Sequence, residues 1–293
     1  MTPKFIFTNS KGQSVEFTND APLFMKTYHG TGGSPVDIQT QKSPYQDGET
    51  LIDTVLEMRP ITLEAVILGQ SADEVTKYRR KLAQVLNPKL GQGKLRFESE
   101  TGAHEIDVQP NGAPAFPGGE ARGALYQECL IELLAPNPFW QDINATKTEI
   151  AIWRGAWEFP LELVEEGIEL GYREPSTIVN VFNRGDVECG IRIQFKALAT
   201  VENPSLFNVN TREQFKINKV MSAGEVLTVT THFQNKRVEL NQNGVISNAF
   251  NWIDLQSTFL QLDVGDNVLK YDADDGLDNL DVSIWHTPQY LGV

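Results

Sequence analysis

The sequence predicts a mainly β protein in two parts, the first carrying one helix and the second none. Three observations lead there. Short runs alternating apolar and polar residues, bounded by Gly, Pro, Asn and Asp, fill most of the chain. One stretch alone, near residues 71–86, has helical spacing. After Asp142 the pattern breaks, and from Thr177 only strand-like runs follow.

The first part opens with Phe5–Phe7, then Ser14–Phe17, then a run from Leu23, read as strands of a hairpin or meander. His29–Asp37 is turn-rich. An extended region follows, with turn residues at its centre from Pro44 to Glu49 and strand-like flanks, which predicts a long hairpin arm over about 37–58. In Arg59–Gly69, Ile61, Leu63, Ala65 and Ile67 alternate to one side. This is the strongest strand of the first half. Ser71 with Glu74 three residues on makes a capping box. Val75, Tyr78, Leu82, Val85 and Leu86 form one apolar face, and Asn87-Pro88 ends the helix. Lys77, Arg79, Arg80 and Lys81 lie mostly opposite and read as a solvated face. Strands resume in "GKLRFES", "HEIDVQP" and "ALYQECLIELLA", with a long Gly/Pro loop at Asn111–Gly123.

Residues 143–176 are irregular, with Trp153, Trp157 and Phe159 set among acidic residues, and read as an ordered strap. Strands separated by turn signals such as Asn183–Asp186, Asn243-Gly244 and Gly265–Asn267 occupy 177–293. Short, regularly spaced strands without a helix predict a β-sandwich. The expected division is therefore 1–142, a strap over 143–176, and 177–293.

Composition narrows the function classes. The chain has 293 residues, 40% of them hydrophobic and 22% charged, which is globular composition. No apolar run approaches the ~18 residues a membrane helix needs. "MTPKFIFTNSKG" reads as neither signal peptide nor anchor, so synthesis in a cytoplasm is expected. The net charge is −14, with −5 on residues 1–142 and −9 on the remainder, and no Lys/Arg stripe is present. Specific nucleic-acid binding through phosphate neutralisation is disfavoured. Cys129 and Cys189 stand alone in apolar runs, as buried thiols do.

Candidate chemistry is sparse. Glu105 and Asp107 share one strand face, as a glycosidase pair can, but Gln109 and Pro110 stand where a third acid is needed, so a solvent-facing stripe is the better reading. Asp272–Asp278 is rich in carboxylates, yet its glycine comes one position early for a calcium loop and Ser283 stands where the closing Glu belongs; an acidic turn is expected. His29, His104, His232 and His286 have no metal-ligand spacing. "GTGG" and "GQGK" lack the phosphate-loop pattern. Trp153, Trp157 and Tyr172 suit either sugar stacking or the covering of an interdomain surface. No catalytic, cofactor-binding or metal residue is assigned.

The order of weak motifs carries a resemblance. A hairpin arm, "RPITLEAVIL", one helix ending in Asn-Pro, "KLRF" and a strand running into "APNPFWQD" follow one another. "FPLEL", "VNVFNRGDVECGIRIQFKA", "NPSLFNVNT", "GDNVLKYDA" and "WHTPQYLGV" complete the chain. This layout resembles the distal tail protein family of siphophages, over nearly the whole length. The resemblance implies a non-enzymatic structural protein of the virion, at the phage tail tip, made in the bacterial host and needing no cofactor. It implies a hexameric ring forming a baseplate hub between the tail tube protein and a tail-associated lysin, tail fibre or receptor-binding protein. The first domain would be a tail-tube-like β-sandwich or split barrel around the DNA channel, with DNA passing through the lumen without specific binding. The second would be a galectin-like or carbohydrate-binding-module-like β-sandwich. The alternative is a carbohydrate-binding protein that contacts host surface glycans. Under the ring reading the helix and the arm build the ring, with Tyr45, Leu51, Ile52 and Val55 at its interface. The acidic strap Glu162–Glu174 departs from the family pattern.

"LLAPNPFWQD" takes its meaning from this layout. Cys129–Ala135 reads as the last core strand, ended by Pro136 and Pro138 because proline gives no donor to a sheet ladder. Phe139 and Trp140, with Trp153 and Trp157, are expected at the domain junction.

Overall fold

The computed structural model describes residues 3–100, 102–150, 152–155, 171–174 and 177–293. The chain divides into two compact units. One contains Met1–Ile143 together with Gln289–Val293, the other Asn144–Pro288. Trp157 and residues 162–170 lie outside the described residues; of Trp153 and Tyr172 only the strand backbone is described.

In the first unit the strands are β1 (Lys4–Thr8), β2 (Ser14–Phe17), β3 (Leu23–His29), β4 (Val36–Gln41), β5 (Thr50–Leu56), β6 (Arg59–Leu68), β7 (Gly93–Ser99), β8 (Gly102–Pro110), β9 (Tyr126–Ala135) and β10 (Trp140–Asp142). They run antiparallel in the order β2-β1-β7-β8-β9-β6-β3. β8 meets β9 only where Gln109 and Pro110 oppose Leu134 and Leu133, so the sheet folds over at that corner. Its two ends touch again at a single bridge, Thr18 to Phe24. The sheet therefore bends round its core without closing into a barrel. Alternation puts Phe5 and Phe7, Ile61 to Ile67, Leu95 and Phe97, and Cys129 to Leu133 inside.

The helix, α1 (Ala72–Val85), starts where its capping box predicts. The Ser71 hydroxyl accepts from the Glu74 amide at 3.2 Å, and the Glu74 carboxylate accepts from the Gln70 amide at 2.7 Å. Val75, Leu82 and Val85 are buried. Of the basic residues opposite, Arg79 lies over the Phe116 ring at 4.9 Å.

The second unit contains β11 (Thr146–Glu149), β12 (Ile152–Gly155), β13 (Gly171–Glu174), β14 (Ile178–Asn183), β15 (Cys189–Ala197), β16 (Val201–Glu202), β17 (Ser205–Asn208), β18 (Gln214–Lys216), β19 (Val220–Met221), β20 (Val226–Thr230), β21 (Arg237–Gln242), β22 (Val245–Asn248), β23 (Gln261–Leu262), β24 (Gly265–Asp272) and β25 (Leu280–His286). One sheet runs β11-β25-β15-β20-β21-β22 and the other β14-β24-β17-β18. Ile191, Ile193 and Phe195 of the first meet Leu206, Phe215 and Leu269 of the second in one core, which makes a β-sandwich. Buried asparagines close its turns. Asn183 accepts from the Gly185 amide at 3.0 Å and donates to the Leu262 carbonyl at 3.2 Å, and Asn267 does the same service around Asp263.

Several segments differ from their sequence-based reading: within the expected irregular strap, Ile152–Gly155 pairs antiparallel with Gly171–Glu174. Thr146–Glu149, read as part of an irregular strap, is an edge strand paired with Ser283–His286. Its polar alternation, Thr-Lys-Thr-Glu, hides a strand whose stability comes from its partner. Gln289–Tyr290, assigned by sequence to the sandwich, pairs with Trp140 and Gln141 in the first unit. Tyr290 also packs edge-on against His104, ring centroids 5.1 Å apart.

Trp140 is fully buried in the first unit's core, 6.2 Å from the Phe97 ring, which continues to Phe5 at 4.7 Å. Phe139 is half-buried. Removing a buried indole leaves a cavity as well as lost transfer energy. Trp140→Ala is therefore expected to destabilise the first unit by about 3–5 kcal/mol, read as a lower denaturation midpoint in urea; an unshifted midpoint contradicts this placement.

Candidate assembly surface on the hairpin arm

β4 and β5 pair only with each other among the described residues, and all but Leu56 of their residues are exposed. The register explains what they expose. Val36 opposes Leu56 and Ile38 opposes Thr54; then the register shifts and Thr40 opposes Leu51, which leaves Ile52 as the extra residue of a bulge. Directly opposed residues share a face. One face therefore carries Val36, Ile38, Leu51 and Leu56 with Thr40 and Thr54. The other carries Asp37, Gln39, Gln41, Thr50 and Asp53, with Val55 as its apolar member. Without the bulge, Leu51 would point to the polar face, because a one-residue slip inverts every side chain beyond it.

The arm is closed at both ends. At the tip, the Gln46 amide donates to the Ser43 carbonyl at 3.1 Å, and Tyr45 and Gly48 take positive φ. At the base, the Glu57 amide donates to the Pro35 carbonyl at 2.9 Å. A two-stranded ribbon with no packing partner is marginal in water. Each aliphatic side chain moved from water into a contact is worth about 1.5–3 kcal/mol, so the arm's missing stability is of the size that one covered face supplies.

Of the four residues expected at an interface, the structure puts Leu51 on the apolar face, Ile52 at the bulge, Val55 on the polar face and Tyr45 at the fully exposed tip. They do not form one patch. Val36, Ile38 and Leu56 join Leu51 instead. The signal in sequence was the alternation Val36-x-Ile38, which stands out only when the bulge is known.

The arm is anchored by Arg59, the first residue of β6, which lies on the same inward row as Ile61, Leu63, Ala65 and Ile67 and is fully buried. Its guanidinium donates to four backbone carbonyls. Nε reaches Pro138 at 2.6 Å, one terminal nitrogen reaches Gly30 at 2.9 Å and also Gly32, and the other reaches Leu291 at 2.6 Å. Burial lowers its pKa, but a guanidinium keeps its proton at neutral pH. The carbonyls come from the segment leading into the arm, the turn before β10 and the C-terminal tail. Gly30 is required there: it has φ +101°, and a Cβ would stand 2.5 Å from the Pro60 carbonyl oxygen. The Val293 amide donates to the Thr31 carbonyl at 2.9 Å, which ties the tail to the same root.

The other candidate residues have structural partners. The Lys94 ammonium pairs with Glu105 and lies 3.8 Å from Asp107. Asp274 receives the Lys216 ammonium at 2.7 Å and the Asn203 amide at 2.9 Å, and these bonds hold its pKa down. Among the described residues no cluster of metal-ligating side chains occurs, and no helix is long and apolar enough to cross a membrane. Burial pushes both thiols up to about 12, so neither presents a thiolate at neutral pH. None of His29, His104, His232 and His286 belongs to such a metal-ligating cluster; burial, with Arg192 nearby, lowers the pKa of His232.

These features describe a mainly β protein of two compact units with an exposed, amphipathic hairpin arm. A phage tail protein RIFT-related domain matches residues 10–135, and the C-terminal domain of a siphovirus-type tail component matches 184–290. The chain belongs to the siphophage distal tail protein family, structural proteins of the phage tail and hence of the virion. Similar solved structures include the Dit protein (gp 19.1) of phage SPP1, described as a paradigm of the hub adsorption apparatus of phages infecting Gram-positive bacteria. It is 12% identical, with a TM-score of 0.70 over 97% of this chain and 98% of that one. The phage p2 baseplate in its activated conformation also matches, with strontium (10% identity, TM-score 0.59) and with calcium (10%, 0.58), over the whole of both chains. No curated protein matches.

Substituting Arg59 tests the anchor. Arg59→Met keeps much of the volume but removes the donors to four carbonyls, and unsatisfied buried groups cost about 1–3 kcal/mol each. The expected result is a loss of at least several kcal/mol and faster amide exchange at Val293, whose bond to Thr31 depends on the same root; unchanged exchange there rules out the anchoring role.

Proposed function

We propose that this protein forms a hexameric ring at the distal end of the tail, a hub joining the tail tube to the adsorption apparatus. The observation that carries the reading is the arm, an amphipathic hairpin with an uncovered aliphatic face. A ring needs a heterologous contact in which one patch meets a different patch on the next copy. An arm anchored rigidly at Arg59 and apolar on one face supplies one half of such a contact. The first unit builds the ring and the sandwich lies outward, toward a tail-associated lysin, fibre or receptor-binding protein. Tyr45, at the tip, and Ile52, at the bulge, are the further arm contacts. Six copies bring six times −14 formal charges, and acidic groups facing a lumen let DNA pass without adhering. Synthesis takes place in the host cytoplasm, before incorporation into the tail.

Light scattering with negative-stain imaging tests the reading. The parent is expected as rings of six times 32.7 kDa. Ile38→Asp and Leu51→Asp are expected to remain folded, since exposed substitutions usually cost within about 0.5 kcal/mol, but to lose the ring. A strictly monomeric parent at high concentration, or variants that assemble like the parent, contradicts it.

A further inference from the structure

The second unit treats its sheet edges unequally. The free side of β18 is covered by the chain itself. The Asp254 amide donates to the Lys216 carbonyl at 3.0 Å, the Thr258 amide to the Gln214 carbonyl at 2.8 Å, and the Lys216 amide to the Ser257 hydroxyl at 2.9 Å. β22, the last strand of the larger sheet, has no such cover among the described residues. Its register fixes which groups are left over. The Ala249 amide donates to the Val238 carbonyl at 2.8 Å. Antiparallel pairs alternate, so Ser247 and Val245 bond inward to Leu240 and Gln242, while Ile246 and Asn248 direct their amides and carbonyls away from the sheet.

An exposed edge is normally blunted by lysine, proline, a bulge or an inward charge. β22 is Val-Ile-Ser-Asn, with Val245 and Ile246 more than 60% exposed. Beside it is a concavity of about 390 Å³ lined by Ile246, Phe250, Lys236 and Arg237 among others. Phe250 stacks on Phe259 at 5.9 Å, and the Lys236 ammonium sits 5.1 Å above Phe259, so the apolar wall is held in place; the rim carries two cations, Lys236 and Arg237, against one carboxylate, Glu239. Arg237 stands in one cross-strand row with Thr230, Arg192, Trp285 and Lys147; Lys147 is paired with Glu149, and the next row of the same face carries Glu239 and Glu149, so the unpaired positive charge is local to the Arg237 end of the site.

We infer that β22 is a strand-addition site for an extended acidic segment of a different protein, which pairs with the free amides and carbonyls of Ile246 and Asn248, seats an aromatic or aliphatic side chain against Phe250, and sets a carboxylate on Lys236 or Arg237. Main-chain bonds at an open edge specify a strand, and the concavity and its charge specify the side chains. The site lies in the sandwich and does not depend on the ring reading.

The probe is a short synthetic peptide alternating threonine and valine, with phenylalanine at its centre and aspartate at both ends. Its control carries lysine at the ends. Both are titrated into the full-length protein by fluorescence polarisation, with amide exchange read at Ile246 and Asn248. The aspartate peptide is expected to bind about tenfold more tightly than the lysine one and to slow exchange at both amides. Ile246→Pro removes only an outward donor, which an edge strand tolerates, and Ile246→Lys adds the missing gatekeeper charge; both are expected to abolish binding. Equal binding of both peptides, absence of binding, or persistence in both variants overturns the proposal. Self-association of the parent lost in both variants also overturns it, by making a second copy the occupant.

Discussion

A buried cation held by backbone carbonyls, with no carboxylate paired to it among the described residues, organises the first unit. Arg59 occupies an inward position on a strand whose other inward residues are aliphatic, and it is held by four backbone carbonyls. Leaving a charge in such a place is costly unless every donor is used. That requirement brings three distant parts of the chain to one point: the entry to the arm, the turn after β9 and the C-terminal tail. An arm of two exposed strands needs a fixed root if it is to present one face in a constant direction, and the guanidinium with its carbonyls is that root.

The same constraint explains why the first unit is assembled from discontinuous sequence. Leu291 supplies one of the four carbonyls, so the segment after Pro288 must come back from the sandwich. Gln289 and Tyr290 extend β10, and Tyr290 packs on His104. Two prolines and two aromatics after β9 thereby acquire a physical role. Pro136 and Pro138 end the ladder, the Pro138 carbonyl turns to Arg59, and Trp140 enters the core at the start of a new strand.

The arm and the β22 edge illustrate two ways of leaving surface open. On the arm, a bulge gathers aliphatic side chains on one face of a ribbon that has little stability of its own. On β22, the strand belongs to a well-packed sandwich, and what is open is its backbone. The first suits contact with a broad apolar surface; the second suits a single extended segment. Elsewhere the chain covers such openings itself, as the Ile253–Thr258 loop does for β18.

Much of this was legible in the order of residues. Alternation in Arg59–Gly69, the capping box at Ser71 and the Asn-Gly and Asn-Arg-Gly turns are local signals, and local signals determined the mainly β class, the helix α1, the arm and the strand-built sandwich. The order of motifs determined the family. The tertiary structure decided what depends on pairing at a distance. Thr146–Glu149 becomes a strand because β25 has a free edge. Gln289–Tyr290 joins the first unit because β10 is there to receive it. Arg59 faces inward because carbonyls from remote segments surround it. Leu51 sides with Val36 and Ile38 because Ile52 bulges. None of these partners is near in sequence, and a period of two shows which residues share a face without showing what the face meets.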